Sequence, residues 1–582
     1  MPSKPKKDNL KKAELSFSKG LKPKKTLVDS PYTWFNFSEE QTGLTEVCLI
    51  DENTGFIVSS PFANLKKRTA SHMAWAGARH SRAPGMSWEI LAEMGEKGVD
   101  PDKKLETTFV NYGHASVADM ANIMLHVEEI PMHLAMAIFN DHALNGGQEK
   151  STRYQVKFLK IDAQTPLKRH GIKDKKAEDL YKHIINQAEI LTNKYYKRIE
   201  SEFRKLFKPK DKREESSLVA RTLDTARMFM PLGLKTGMSI NTSAREWSRF
   251  IGNLKASPIK EYQELGEQLQ HFLTPTKEVE EALNFKAEAP SLIRHTEPSK
   301  TAQENLKDLK EYLQKHFHKK VKSFEKKTKK KIKEKKQGIE YFNVKNENTF
   351  LNILVAQHIN LLYPYLDFKE AVKFIKSLNK TAKKEIVNII FKNHNRFKQI
   401  PIFDDVGPFT FVLNGAISEV RDMNRHRASR RFIPLPLIYG LKTNYKTAVG
   451  LSTKGYILPL YLTKIKELDN IKKEAERDIK KQFNLIKKTL DIVNKKYGEE
   501  ADYSFVYDLL PFCTYVPLIM HQSFRQMHYM PELRNGVGGQ INYRNLAWNM
   551  GKEFSNKLNI GDIFTPGNPP NAYSREEFFG RS

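Results

Sequence analysis

Only two of the 582 residues are cysteine, Cys48 and Cys513. Two cannot build a disulfide framework, and neither lies in a CxxC or CxxH setting, so no structural zinc is expected. The histidines are scattered and HExxH is absent, so no metal site is expected either. No apolar run approaches the length that spans a bilayer. The opening residues MPSKPKKDNLKKAELSFSKG lack the apolar core of a signal peptide. A cytoplasmic location without a membrane anchor is therefore expected. GxxxxGK[ST] and a GxGxxG opening a helix are also missing, which removes the main sign of Walker NTPases and simple Rossmann dehydrogenases.

What is present is length, charge and a repeat. Hydrophobic residues make up 39% and aromatics 10%, enough for packed cores. A chain this long divides into two or three domains. Its formal charge is +29, which first suggests nucleic acid. The excess is concentrated: residues 1–28 hold nine Lys and two acids, and residues 300–336 hold 15 Lys and five acids. Neither stretch has interleaved aromatics or RGG-type repeats. They are either solvated segments or weak polyanion contacts. The reading of the chain is a basic arm (1–28), a first repeat (29–299), a Lys-rich helical linker with few apolar anchors (300–339) and a second repeat (340–582).

The two repeats share an order of elements. GHASVADMANIMLHVEEIPMHLAMAIFNDHALNGGQEKSTRYQ (113–155) and GPFTFVLNGAISEVRDMNRHRASRRF (407–432) each predict a strand, a helix and a polar loop. Each is followed by a long charged helix with i, i+3/i+4 apolar spacing. Then come RMFMPLGLKTGMSINTSAREW and YDLLPFCTYVPLIMHQSFRQM. Pro231 to Arg245 and Pro511 to Arg525 are both 14 residues, and His142 to Arg245 and His426 to Arg525 are 103 and 99. This pattern predicts a tandem duplication.

Four clusters are candidates for chemistry. Arg425-His426-Arg427, with Arg430 and Arg431 close behind, is either a basic surface loop or an anion site, since guanidinium forks suit phosphate and carboxylate. Glu149-Lys150-Ser151-Thr152-Arg153-Tyr154 follows Asn145-Gly146-Gly147, and is either a polar loop or a phosphate cup. Arg525 and Arg534 lie nine residues apart with Pro531 between them, so a kink decides whether they share a face. Arg227 precedes an apolar segment ending in Pro231, and reads as a salt-bridged or a ligand-binding arginine.

Together these motifs resemble the flavin-dependent thymidylate synthases, whose signature is an RHR triplet followed within a short loop by E-x-S-x-R-Y. Here the triplet is Arg425-His426-Arg427 and the second part is Glu149 to Tyr154, in different repeats. The later Arg-x8-Arg followed by Gln is matched by Arg525, Arg534 and Gln540. Repeat 1 has Asp141-His142-Ala143 at the triplet position and Leu254 and Lys255 where the second Arg belongs. Repeat 2 has Tyr507 where repeat 1 has Arg227. In that family each site lies between subunits of a homotetramer, so the split motifs imply one composite site from both repeats. Two chains would then form a homodimer with two complete and two degenerate sites.

The resemblance implies an α+β fold and the reductive methylation of dUMP to dTMP, with FAD as cofactor and NADPH and methylenetetrahydrofolate as co-substrates. It implies that Arg425, His426, Arg427, Arg525 and Ser116 bind FAD. Glu149, Ser151, Arg153 and Arg227 would bind the nucleotide phosphate. Arg534 would be catalytic, polarising the uracil ring. Ser523-Phe524-Arg525 departs from the family's Asn-Ala-Arg. Cys48 and Cys513 lie outside every motif, consistent with a class that needs no cysteine nucleophile. The alternatives are a flavoprotein for a different pyrimidine nucleotide, with a shifted pocket around Asp422 and Met423, and a non-catalytic nucleotide- or RNA-binding descendant.

Overall fold

The structure, a computed structural model, describes residues 24–26, 30–37, 45–51, 53–62, 69–80, 100–107, 115–141, 146–151, 166–326, 332–343, 347–392, 409–426, 428–435, 438–522, 524–558 and 567–580. Of the basic arm 1–28, residues 24–26 are described and form a strand paired into the first sheet, which corrects the expectation of a loose arm there; the rest of the arm lies outside the described residues.

The fold is α+β, with two antiparallel sheets. Strands β1 (Lys24–Thr26), β2 (Thr33–Phe37), β3 (Thr45–Ile50), β4 (Ile57–Phe62), β5 (Asn122–Pro131), β6 (Gly146–Glu149) and β7 (Lys235–Ser243) form the first, in the order β1-β2-β3-β4-β5-β7-β6. Strands β8 (Gly338–Asn343), β9 (Phe409–Ala416), β10 (Arg430–Phe432) and β11 (Tyr515–Gln522) form the second, ordered β10-β11-β9-β8. The four-strand core β4-β5-β7-β6 of the first therefore matches β8-β9-β11-β10 of the second. In both, the strand before the motif runs straight into a helix: β5 into Met132–Asp141 and β9 into Ile417–Met423. Strands β9 and β11 are buried almost throughout. A strand covered on both faces reads as a continuous apolar run, as YVPLIM does, rather than as alternation.

The long helices are Lys175–Phe207 and Asp469–Tyr497. Each buries one stripe, Ile184, Ala188, Tyr195, Ile199 and Phe203 in the first and Ala475, Ile479, Phe483, Ile486 and Leu490 in the second. They pack antiparallel. Lys194 pairs with Asp478 at 3.0 Å, Arg198 donates to Glu474 at 3.0 Å, and Lys496 reaches Asp174 at 3.4 Å at the opposite end.

The two repeats meet about a pseudo-twofold axis through Pro231 and Pro511, which form an antiparallel bridge. Leu232 N–H donates to Leu510 O (2.9 Å) and Phe512 N–H to Met230 O (2.7 Å). Further out, Gly233 N–H donates to Asp508 O (2.9 Å) and Cys513 N–H to Met228 O (3.0 Å). Each bond is the other shifted by the 280 residues that separate the prolines. Gly233 is required by this approach, because a Cβ there would stand 2.8 Å from Asp508 Cβ.

The Lys-rich segment is helical, as expected, but it is docked rather than loose. Helices Thr301–His316 and His318–Lys326 bury Leu306, Leu309, Leu313, Val321 and Phe324. Phe324 packs its ring on Tyr363 and Phe374. Anchors every third or fourth residue suffice to seat the helices while their lysines face water. Strand β8 begins at Gly338, so pairing with β9 starts inside the segment assigned to the linker.

His170 joins the repeats through charge. It is buried, with Nδ1 2.7 Å from Asp502 and Nε2 3.2 Å from Glu261. Burial alone would lower its pKa, but the two carboxylates outweigh it and push it up to about 10. The unfolded imidazole titrates near 6.5. Its contribution is thus fully present below that pH and is lost as pH rises toward 10. The unfolding midpoint should fall between pH 7 and pH 9.5, and His170→Gln should flatten that dependence in a melting series.

Candidate active site between the repeats

The polar residues predicted to share a site converge where β6 of repeat 1 faces the helix Ile417–Met423 of repeat 2. Glu149 ends β6 with its side chain 1% exposed. Arg421 donates to its Oε1 from Nε (3.0 Å) and Nη2 (2.8 Å), and Arg425 donates from Nη2 to Oε2 (3.0 Å). Arg421 lies in that helix and Arg425 in the turn just past its end, four residues on. Arg421 also donates to Lys150 O at 3.2 Å. A buried carboxylate between two guanidiniums is held by charge-assisted bonds that a lone ion pair would lack. Burial lowers the pKa of Arg421, ahead of the opposing effect of Glu149. Burial also acts to lower that of Arg425, but Glu149 and then Asp422 raise it. Both arginines remain cationic in water.

A second pair crosses the same boundary. Arg227, which follows helix Lys212–Ala226, is 1% exposed and sits 3.3 Å from Asp422 and 3.5 Å from Asp224. On the repeat-2 side, Arg534 donates from Nε to His426 Nε2, and its guanidinium lies 5.6 Å from the Tyr543 ring centroid. Burial first, then Arg534 and Arg431, depress the His426 pKa to about 2. Its imidazole is therefore neutral at physiological pH and accepts from Arg534. Arg431 in turn donates to Asn424 O and, at 3.0 Å, to Phe139 O, tying the loop after the triplet to repeat 1.

The structure thus brings Glu149, Arg227, Arg425, His426 and Arg534 to one inter-repeat region, with Ser151 half-buried two residues past Glu149. Arg153 and Arg427 lie outside the described residues, as do Thr152 and Tyr154. The backbone of Arg525 is in the first turn of helix Phe524–Asn535, and its side chain lies outside the described residues. Ser116 is exposed on the 3-10 turn Ala115–Met120, which packs on helices Ala70–His80 and Ala244–Ala256, neither of which carries a residue of the cluster. Arg421 is the residue that motif reading missed. Its signal was its place four residues before Arg425 in VRDMNRHR.

The pseudo-equivalent place is apolar. Pro131↔Lys235 in repeat 1 matches Ala416↔Tyr515 in repeat 2, so Met136, Ala137 and Asn140 correspond to Arg421, Asp422 and Arg425. The triplet position is then Asn140-Asp141-His142, one residue earlier than Asp141-His142-Ala143, because repeat 1 carries one more residue before β6. By the same registers Ile433 and Leu435 correspond to Glu149 and Ser151. Met136, Ala137, Asn140, Ile433 and Leu435 border one small cavity with His133 and Leu232. Beside it Asp141 pairs with Arg249 at 3.2 Å and accepts from Tyr439, whose hydroxyl accepts from Asn253 at 2.8 Å.

Residues 66–276, the bulk of repeat 1, match the family model Thy1, thymidylate synthase complementing protein. Similar curated proteins carry the name UPF0159: one from Chlamydia muridarum is 22% identical over 466 residues, 76% of each chain. Ta1429 from Thermoplasma acidophilum is 22% identical over 487 residues, covering 76% of this chain and 84% of that one. Both alignments extend well beyond the Thy1 region. Among solved structures, flavin-dependent thymidylate synthase ThyX from Helicobacter pylori, complexed with FAD and dUMP, matches 38% of this chain and 96% of its own, at 13% identity and a TM-score of 0.21.

Removing one partner of a buried ion pair costs about 3–5 kcal/mol, whereas replacing the pair by apolar residues is often near neutral. Glu149→Gln should therefore lower stability by roughly that amount. The double variant E149I/R421M, which copies Ile433 and Met136, should cost less than E149Q, as read by chemical denaturation.

Proposed function

We propose that the protein is a flavin-dependent thymidylate synthase that converts dUMP to dTMP at one composite site per chain. The observation that carries this is the seating of Glu149, from the E-x-S-x-R-Y motif of repeat 1, between Arg421 and Arg425 of repeat 2. Two halves of one signature, 276 residues apart, are in hydrogen-bond contact.

The residues fit an anionic dinucleotide cofactor. Arg425 Nε is buried with no hydrogen-bond partner, so this guanidinium has a donor to offer a diphosphate. Arg425, His426, Arg427 and Arg525 would hold FAD, and Ser116 would reach it from a second copy in a homodimer. FAD reduced by NADPH would supply the hydride, and methylenetetrahydrofolate the one-carbon unit. The chain supplies orientation and charge. Glu149, Ser151, Arg153 and Arg227 would seat the nucleotide phosphate. Arg534, fixed by neutral His426 and the Tyr543 ring, would sit at the uracil ring and stabilise the negative charge that builds when the ring attacks an electrophile. Because His426 does not compete as a cation, Arg534 remains the positive charge at that point.

Among the described residues no helix is long and apolar enough to cross a membrane. The proposed setting is cytoplasmic. Weak nucleic-acid contact is compatible with the exposed lysines of helices Thr301–His316 and His318–Lys326.

The test is the visible spectrum of the purified protein, with and without dUMP. A bound-flavin spectrum that shifts with dUMP is expected, with one dUMP per chain by calorimetry. Arg425→Ala should abolish flavin binding and Arg153→Ala dUMP binding. No flavin after incubation with excess FAD overturns the enzyme reading in favour of a nucleotide- or RNA-binding descendant. Flavin that responds to another pyrimidine nucleotide and not to dUMP redirects the specificity.

A further inference from the structure

We infer that Asp422 is an internal competitor for the anion seat at Arg227, and that it holds down the affinity of this site for a phosphorylated nucleotide while leaving that for a nucleoside unchanged. This rests on the proposed role of Arg227. The guanidinium of Arg227 is 1% exposed and has two carboxylates at hand, Asp224 at 3.5 Å and Asp422 at 3.3 Å. One carboxylate is enough to neutralise a buried arginine; Asp422 is a second at Arg227, and its charge also acts on Arg421 and Arg425. Asp224 belongs to the helix that leads into Arg227 and cannot leave it. Asp422 arrives from the other repeat, on the last turn of a seven-residue helix.

The neighbouring carboxylate shows what a fixed pair looks like here. Glu149 receives three N–H donors at 2.8–3.0 Å from two arginines. The Asp422 contact is longer. In the pseudo-equivalent place Arg227 is replaced by Tyr507 and Asp422 by Ala137, so acid and base are absent together, while the position of Asp224 holds Ser504. Asp422 is thus paired with the arginine across the repeats, besides acting on Arg421 and Arg425 of its own repeat.

A phosphate oxygen reaching Arg227 must take the face that Asp422 covers. Like charges repel in so buried a place, so the carboxylate must swing away. A phosphate dianion draws the guanidinium more strongly than one carboxylate does, and its three oxygens match the fork. A neutral nucleoside has nothing with which to displace the acid. The affinity for nucleotide is therefore held down by the cost of displacing Asp422, which is the expected signature of a competitor built into the chain.

The test uses full-length protein with FAD. Calorimetry compares dUMP, inorganic phosphate and deoxyuridine on the wild type and on Asp422→Asn, which keeps the shape and removes the charge. D422N should bind dUMP and phosphate at least tenfold more tightly and deoxyuridine unchanged. Asp422→Ala, which copies Ala137, guards against a folding artefact, and melting curves check both. Unchanged or weaker binding of dUMP and phosphate by folded variants overturns the inference and makes the pair a simple latch between repeats. If flavin binds but neither the wild type nor the variants bind dUMP or phosphate, the reading of Arg227 falls as well.

Discussion

The backbone exchange at Pro231 and Pro511 is the constraint on which the rest of the structure depends. Four inter-repeat hydrogen bonds are satisfied only when the two apolar segments lie antiparallel. That arrangement fixes the dyad, sets the antiparallel packing of the two long helices, and decides which loop of one half faces which helix of the other. Proline at the centre of the bridge offers no N–H, so the pairing is carried by the residues on either side. The charge pairs along the helices follow from that frame. Each is modest alone, and together they match only one register.

The same dyad creates two places, and the chain has made them opposite in chemistry. One concentrates Arg227, Arg421, Arg425, Glu149 and Asp422 out of water. The other carries Tyr507, Met136, Asn140, Ile433 and Ala137. Buried charge is tolerated only where each ion is compensated, and both ions of each pair are absent from the apolar place. Apolar contact at one place holds the repeats together, which allows the other to remain polar and available for a ligand.

Much of this was legible in the sequence. The 14-residue spacing from proline to arginine announced the repeat, because the backbone exchange and the strand after it fix the distance. The split signature announced which residues must meet, and Glu149 does meet Arg425. The additional strands β1 to β3 were not foreseen, since short segments such as TWFNF and TEVCLI carry no periodicity long enough to separate strand from loop. Arg421 was missed because a single arginine in a helix reads as solvated until its partner is known. The apolar character of the second place depends on strand register, which no spacing in a loop reveals. The docking of the Lys-rich helices was understated because their lysines outnumber the five anchors that seat them.

The position of the dyad has a consequence for synthesis. Residue 231 leaves the ribosome 280 residues before its partner at 511. At about 5–20 residues per second that interval is roughly 14–56 s. Throughout it, the backbone groups of Met228, Met230, Leu232 and Gly233 lack the partners that repeat 2 gives them in the finished chain. The nascent chain therefore passes through a period in which its first half carries an unpaired edge at the dyad. Slowing elongation in the second half should raise its dependence on chaperones, whereas slowing it in the first half should not.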